Sequence, residues 1–413
     1  MTKLTKNMYF TLAWRNIWRN KRRSYITIAS VTFAVMLACT MRSVQLGSYE
    51  RMIETAARFF TGYIQIHKNG YWEDKTIDNS FSYTEDLIEK VASVEGVLEV
   101  VPRIESFALA SYDQKTKGTM VLGIDPEKEH KLTEVKDKLV EGEYLEADDQ
   151  SIMIAKGLAD YLRVGIGDSV VLIGQGYHGT NAVGIYPVSG IMKFPVPEQN
   201  NSTIYLPLKE AQWLYATGDQ LSSLSLVIDK ANHVDRIVAG ISKDVDLEAY
   251  EVMGWKELMP ELVQGIEIDN LSSKVMIWIL YIVIGFGMFG TFLMMTAERM
   301  YEFGVLLSIG MKRIKMQFVI FLEMALMATI GVIAGVMISL PFIIYYHFHP
   351  IYFGGEMQAA IEDFGVEAAY YFSMQPSLFY NQAWAIFLMA GILSLYPLIV
   401  IHRLKPVKAM REN

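Results

Sequence analysis

The chain has 413 residues, 52% of them hydrophobic, with a positive mean hydropathy and a net charge of −8. Such a composition points away from an ordinary soluble enzyme. Its single cysteine, Cys39, excludes an intrachain disulfide, and the acidic excess, concentrated in 43–274 (21 basic against 37 acidic residues, net −16), argues against nucleic-acid binding.

Residues 1–23 hold seven Lys/Arg and no acid. Within them Phe10, Ala13, Trp14, Ile17 and Trp18 recur at helical spacing, with Arg15, Asn16 and Arg19 on the other face. That is the pattern of a helix lying in the membrane interface with its tryptophans at headgroup depth; a plain anchor would show the same. The uncharged run Ser24–Met41 predicts a first transmembrane helix over 24–42. Its apolar run is long for a signal peptide and no A-x-A site follows, so it reads as an uncleaved anchor.

Segment 43–274 alternates short strands and short helices. Strands are predicted at Tyr63–His67, Thr119–Ile124, Ser169–Ile173, Gly184–Ile191, Ser202–Leu206 and Leu224–Ile228. Helices are predicted at Thr84–Val94, Lys156–Leu162, Leu208–Tyr215 and Val234–Lys243. Turn signals at Asp125-Pro126, Gly165/Gly167-Asp168 and Pro195–Asn201 separate them. This is one large or two small α+β units, followed by a stalk helix over Trp255–Lys274, interrupted near Pro260.

Three further spans follow. The uncharged run Val275–Ala297 predicts one over 275–297, Phe318–Leu340 one over 318–340 with Glu323 as its only charge, and Trp384–Ile401 one over 384–401. Segment 298–317 has four Lys/Arg against two Glu, the tail 402–413 four against one, and 341–383 none against four acids. The bias places both termini and 298–317 in the cytoplasm, and 43–274 and 341–383 outside, in a multi-pass membrane protein.

In 298–317, Phe303, Leu306, Leu307, Gly310 and Ile314 are predicted to share one helical face, with Glu302, Ser308, Lys312 and Arg313 elsewhere. Such a helix either inserts that face into a groove on a cytoplasmic partner or merely lies on the lipid. Spacing alone does not separate the two.

Signs of chemistry within the chain are few. Gly174–Thr180 is the nearest approach to a phosphate loop, but it lacks the lysine that must reach the phosphates and reads as a hairpin loop. No other ATPase signature and no G-x-S-x-G elbow occurs, so the chain is expected to be no enzyme, to need no cofactor or metal, and to depend on a separate ATP-hydrolysing chain. His347 and His349 flank Phe348 beside Pro350 and read as an interfacial turn rather than a metal pair. Glu141, Glu143, Glu146, Asp148 and Asp149 read as a solvated loop. Glu323, an intramembrane carboxylate near the inner interface, is expected to pair with Arg299 or Lys315 rather than relay protons. Four helices do not readily enclose a path, so a second chain, identical or paralogous, is expected. Gly331 and Gly335, a G-x-x-x-G, and the glycines Gly285, Gly287 and Gly290 allow close helix packing, within the chain or between chains.

These residues resemble a known family. ERMYEFGVLLSIGMKR (298–313), followed by Phe318 and Glu323 in an F-x-x-x-x-E placement, is similar to the core signature of FtsX-like ABC-transporter permeases. LAWRNIWRNKRRSYIT and RLKPVKAMR resemble that family's flanking motifs, and VLGIDPEKEH, IMIAKGLADYLRVGIGDSVVLI and YPVSGIMKFPVPEQNNSTIYLPLKEAQWLY resemble the MacB-type periplasmic core. The resemblance covers nearly the whole chain, and without a fused ATPase the layout is closest to the lipoprotein-releasing permeases LolC and LolE. It implies an α-helical membrane protein with four transmembrane helices and a large extracytoplasmic α+β domain between the first and second, split into a porter-like and a smaller β-rich part. Two such subunits would pair with two cytoplasmic ABC ATPase subunits, whose closure is relayed to the outer domains while no substrate crosses the bilayer through the spans. By the same resemblance Glu298, Arg299, Glu302, Phe303, Gly304, Val305, Leu306, Leu307, Gly310 and Met311 would couple to the ATPase. The expected work is release of lipoproteins, or another amphipathic cargo, from the inner membrane. The rival expectations are peptide or drug efflux through a periplasmic adaptor, non-transporting regulation of a cell-wall hydrolase, and simple membrane anchoring.

Overall fold

A computed structural model describes residues 2–19, 21–57, 61–194, 196–355, 358 and 368–405. Most of the C-terminal RLKPVKAMR motif, the four acids of 341–383, and Pro195 lie outside them. The chain divides into two compact units, one formed by 1–50, 266–351 and 370–413, the other by 51–265 and 352–369.

The chain opens with α1 (Thr2–Arg19) and α2 (Lys21–Ala56). At 1.5 Å per residue α2 is about 54 Å long, well beyond a hydrocarbon core of about 30 Å. The predicted span 24–42 therefore occupies only its first half.

The second unit begins with β1 (Ile64–Lys68) and β2 (Phe81–Ser82), then α3 (Glu85–Ala92), β3 (Val97–Tyr112) and β4 (Lys115–Ile124). Next come α4 (Pro126–Thr133), β5 (Leu139–Gly142), β6 (Ile152–Ala155), α5 (Lys156–Leu162), β7 (Ser169–Gln175) and β8 (Asn181–Met192). The unit continues through α6 (Pro197–Ser202), β9 (Thr203–Pro207), α7 (Leu208–Leu214), β10 (Gln220–Leu221) and β11 (Ser223–Ile228). It closes with α8 (Val234–Asp244), β12 (Tyr250–Gly254) and α9 (Trp255–Leu258). All six predicted strands and four predicted helices have counterparts here.

The long strand β3 organises this unit. One of its edges pairs with β4 from Arg103 to Tyr112, while the other pairs first with β11 and then with β7. Because β7 also pairs with β8, the order β3-β4-β9-β6-β8-β7 closes on itself, and β11-β1-β12 extends from the first half of β3. One strand thus belongs to two cores. Ile104, Val121, Ile154, Leu172 and Ile204 fill the closed part, and Ile64, Val100, Leu224, Leu226 and Ile237 fill the other. The sequence reading missed β3 because Glu99, Pro102, Arg103 and Glu105 interrupt its alternation. Pro102 is tolerated because the β3–β4 register ends at Arg103↔Ile124, which leaves Pro102 at a local edge.

After a break at Met259, α10 (Pro260–Glu298) carries the predicted second span. It is followed by α11 (Met300–Ser308), α12 (Arg313–Phe348), α13 (Pro376–Leu393) and α14 (Leu395–Arg403). Among the described residues, four helical stretches are long and apolar enough to cross a membrane: Lys21–Ala56, Pro260–Glu298, Arg313–Phe348 and Pro376–Arg403. Val31, Val35, Phe292, Phe303, Ile320 and Met324 share the core of this unit. Gly331 and Gly335 of α12 lie against α2. A Cβ added at either would come within 2.6 Å of Val31 or Val35 Cβ, so only glycine admits this approach, and Thr32 Oγ1 donates to the Gly331 carbonyl at 3.2 Å. Of the two packing roles open for the G-x-x-x-G, the structure shows the one within the chain. Gly287 and Gly290, by contrast, face open space.

Candidate functional site

The segment between α10 and α12 is a short helix set off by a break at each end. Arg299 has left helical geometry (φ −103°, ψ 8°), so α10 stops and α11 restarts. At the other end Gly310 has φ +101°, Met311 N–H donates to the Leu306 carbonyl at 3.0 Å, and Gly310 N–H donates to Leu307 at 3.1 Å. This paired closure, with a glycine in the left-handed position, satisfies the carbonyls at the helix end. Lys312 is extended (φ −68°, ψ 135°), and α12 begins at Arg313.

The predicted apolar stripe is corrected by this geometry. Because α11 ends at Ser308, Gly310 is its terminator and Ile314 belongs to α12, so the five residues do not share a face. The helix instead has two apolar sides. Phe303 and Gly304 are buried, and Leu307 and Met311 pack against the same core. Leu306 and Ile309 face outward with Tyr301, and Ile309 and Ile314 are each 78% exposed. Val305 is half-buried between the two sides.

Charges hold the inner side in place. Arg299 Nη1 donates to both carboxylate oxygens of Glu323, at 3.0 and 2.8 Å, and both side chains are almost fully buried. Of the two partners considered for Glu323, the structure selects Arg299. The same guanidinium donates through Nε to Glu302 Oε2 at 3.2 Å and stacks over Phe303. From α1, Arg19 donates to Glu302 and Asn16 Nδ2 donates to Glu323 at 3.4 Å. From α2, Arg23 pairs with Glu298 at 2.5 Å. Partial burial alone would raise the Glu302 carboxyl, but hydrogen bonds from Arg19 and Arg299 outweigh it and hold it below the usual carboxylate range, while Glu302 raises Arg19 in return.

Three participants escaped the sequence reading. Arg19 and Asn16 were placed on the polar face of α1 with no partner, and Arg23 was counted only as a basic flank. Their partners lie 275 to 307 residues away in the chain, a distance that spacing does not bridge. Arg313 also donates to the carbonyls of His402 and Leu404, and Gln317 to that of Leu398 at 2.7 Å, tying the start of α12 to the end of α14.

Elsewhere the other candidates are structural. His347 and His349 hydrogen-bond the carbonyls of Phe372 (2.6 Å) and Tyr345 (3.1 Å). Gly174–Thr180 joins β7 to β8, with Gly176 N–H donating to Thr180 at 2.7 Å. The carboxylates of 141–149 engage Lys156, Lys209 and the Glu146 amide on the surface.

Comparison with known families decides what kind of protein carries this site. A MacB-like periplasmic core domain model matches residues 24–249, and an FtsX-like permease C-terminal model matches 274–406. The chain belongs to the FtsX/MacB-type ABC permeases. It is 22% identical over 333 residues to the lipoprotein-releasing system transmembrane protein LolC of Neisseria meningitidis serogroup B, covering 77% of each chain. It is likewise 22% identical over 248 residues to LolC of Xylella fastidiosa, covering 58% of this chain and 59% of that one. Among solved structures it is similar to the extracellular domain of the noncanonic ABC-type transporter YknZ from Gram-positive bacteria (18% identity, TM-score 0.34, covering 46% of this chain and 99% of that one). It is also similar to the periplasmic region of MacB from Actinobacillus actinomycetemcomitans (13% identity, TM-score 0.34, covering 49% and 92%). An FtsX/MacB-type permease is a multi-pass inner-membrane subunit and not itself an ATPase, and its family implies an ABC ATPase partner and a dimeric arrangement.

Proposed function

We propose that this permease converts its partner's ATP hydrolysis into work outside the membrane, and that the work is release of lipoproteins from the inner membrane. In this reading both termini and 298–317 are cytoplasmic, and 43–274 and 341–383 are outside. The observation that carries it is α11: a helix broken at Arg299 and Gly310, its inner side clamped by charge and its outer side left apolar at Leu306 and Ile309. Glu298, Arg299, Glu302 and the stretch 303–311 are then the coupling element, with Leu306 and Ile309 meeting the ATPase. The lipoprotein assignment draws on the names of the LolC relatives.

The energetics suit an ATP-driven step. Each buried CH₂ costs about 0.8 kcal/mol to expose, and although a single chain binds only reversibly, two or more acyl chains hold a cargo firmly enough that its release needs work. The test is reconstitution of the permeases with the ABC ATPase in proteoliposomes carrying a radiolabelled lipoprotein. ATP-dependent transfer to a soluble acceptor is expected; hydrolysis without transfer would refute the cargo, and absence of any copurifying ATPase would refute the coupling.

A further inference from the structure

The clamp around Arg299 poses a mechanical question. Because α11 is interrupted from α10 at Arg299 and from α12 at Gly310–Lys312, a push on it could be absorbed by bending at either break. The main chain is therefore a poor transmitter. Side chains must carry the load, and the structure shows which ones.

Arg299 and Glu302 supply α11's share, Glu323 that of α12, and Arg19 and Asn16 that of α1. Arg299 and Glu323, the buried pair, leave no net charge between them, as burial near the inner membrane edge requires, and Arg19 and Glu302 pair at its exposed side. Glu323 is the only charge in the apolar run Phe318–Leu340, so the link enters that span at one point. Its partner Arg299 sits at the break itself, where it can hold the angle between α10 and α11.

We propose that Arg299 and Glu323 are positioning residues that lock α11 to α12 and, through Glu302–Arg19 and Asn16, to α1, so that the three helices move as one body when the ATPase acts on α11. The inference rests on the coupling role assigned above, and it names the transmitting contact. Phe303 and Leu307 supply adhesion but are non-directional, whereas the two-oxygen grip of Arg299 on Glu323 fixes orientation.

The experiment uses the full permease complex with its ABC ATPase in proteoliposomes. Glu323→Gln keeps the shape and removes the charge; the exchanged pair Arg299→Glu/Glu323→Arg restores complementarity with reversed sign, and is made together with Glu302→Gln so that position 299 does not face a like charge at 302. Two quantities are read: lipoprotein released per ATP hydrolysed, and the ATP-dependent change in hydrogen exchange across 51–265. For Glu323→Gln the release ratio is expected to fall about tenfold and the exchange response to disappear, with substantial recovery in the exchanged pair. A Glu323→Gln complex that still shows the ATP-dependent exchange response overturns the proposal, as does an exchanged pair that assembles, hydrolyses ATP and recovers nothing. If neither variant accumulates in membranes, the pair is an element of folding and the proposal falls. Should wild type show the exchange response but release no lipoprotein, the cargo reading fails while the clamp stands.

Discussion

At the scale of single residues, the outer unit shows two buried polar groups whose removal can be predicted. Arg103 on β3 and Glu129 on α4 are both fully buried and joined by two hydrogen bonds, Nε–Oε2 at 2.8 Å and Nη2–Oε1 at 2.6 Å, with Thr133 completing the carboxylate at 2.9 Å. Removing one partner strands the other's charge in a dry core. Glu129→Ala is therefore expected to destabilise this unit by about 3–5 kcal/mol, whereas Arg103→Met/Glu129→Leu should come close to neutral, as measured by urea-dependent pulse proteolysis of the full chain in nanodiscs. His67 on β1 is the second case. It stacks on Tyr71 and Trp72, accepts or donates one hydrogen bond with Gln65 at 2.9 Å, and burial, aided by Lys75, pushes its pKa down to about 3. A depressed histidine favours the fold above its unfolded pKa of about 6.5 and loses that contribution as pH falls toward 3. The fall spans on the order of 5 kcal/mol, and His67→Phe should flatten the stability profile across that window; an unchanged profile would reject it. None of this was legible in the sequence. A buried histidine and a surface one look alike there, and Glu129 sits in the charged, polar octapeptide of α4, which reads as exposed.

At the scale of elements, legibility followed periodicity. The spans stood out because long uncharged runs have few other uses, and the short strands were found wherever β-branched residues alternated. What failed was boundary and context. The apolar stripe of α11 was extended across Gly310 because helical spacing counts residues and does not register a left-handed φ of +101°. The α2–α12 crossing shows the converse, a motif visible in sequence whose partner was not. Since a Cβ at Gly331 or Gly335 would lie 2.6 Å from a valine Cβ, and would meet the Ile28 or Thr32 carbonyl nearby, the helices must separate to accept any larger residue. Gly331→Leu and Gly335→Leu are each expected to cost about 1–3 kcal/mol, read as a lowered Tm in detergent. Gly287→Leu on α10, where nothing lies within 4 Å, serves as the control. Equal losses at all three positions would show that the crossing is not what makes these glycines necessary.

At the scale of the whole molecule, the division of labour depends on which side of the bilayer each unit faces. Two features of the chain bear on it independently. The Lys/Arg excess of 1–23 and 298–317 favours the cytoplasm, and four crossings would return both termini to one side, so the large insertion between the first and second spans is expected opposite. The prediction is checked by impermeant maleimide labelling, for which the chain is well suited because its single cysteine, Cys39, is buried and gives little background. Tyr161→Cys, exposed on the outer unit, is expected to label in intact spheroplasts. Ile309→Cys, 78% exposed at the end of α11, should label only after permeabilisation, and binding of the ABC ATPase should protect it. Labelling of Ile309→Cys in intact spheroplasts would invert the topology and remove α11 from reach of any ATP-hydrolysing partner. Labelling after permeabilisation with no protection by the ATPase would keep the topology but move the docking surface elsewhere on the cytoplasmic face. The exposed apolar side of α11 makes protection the expected result, whereas Leu306 and Ile309 resting on the lipid would leave the label indifferent to the ATPase.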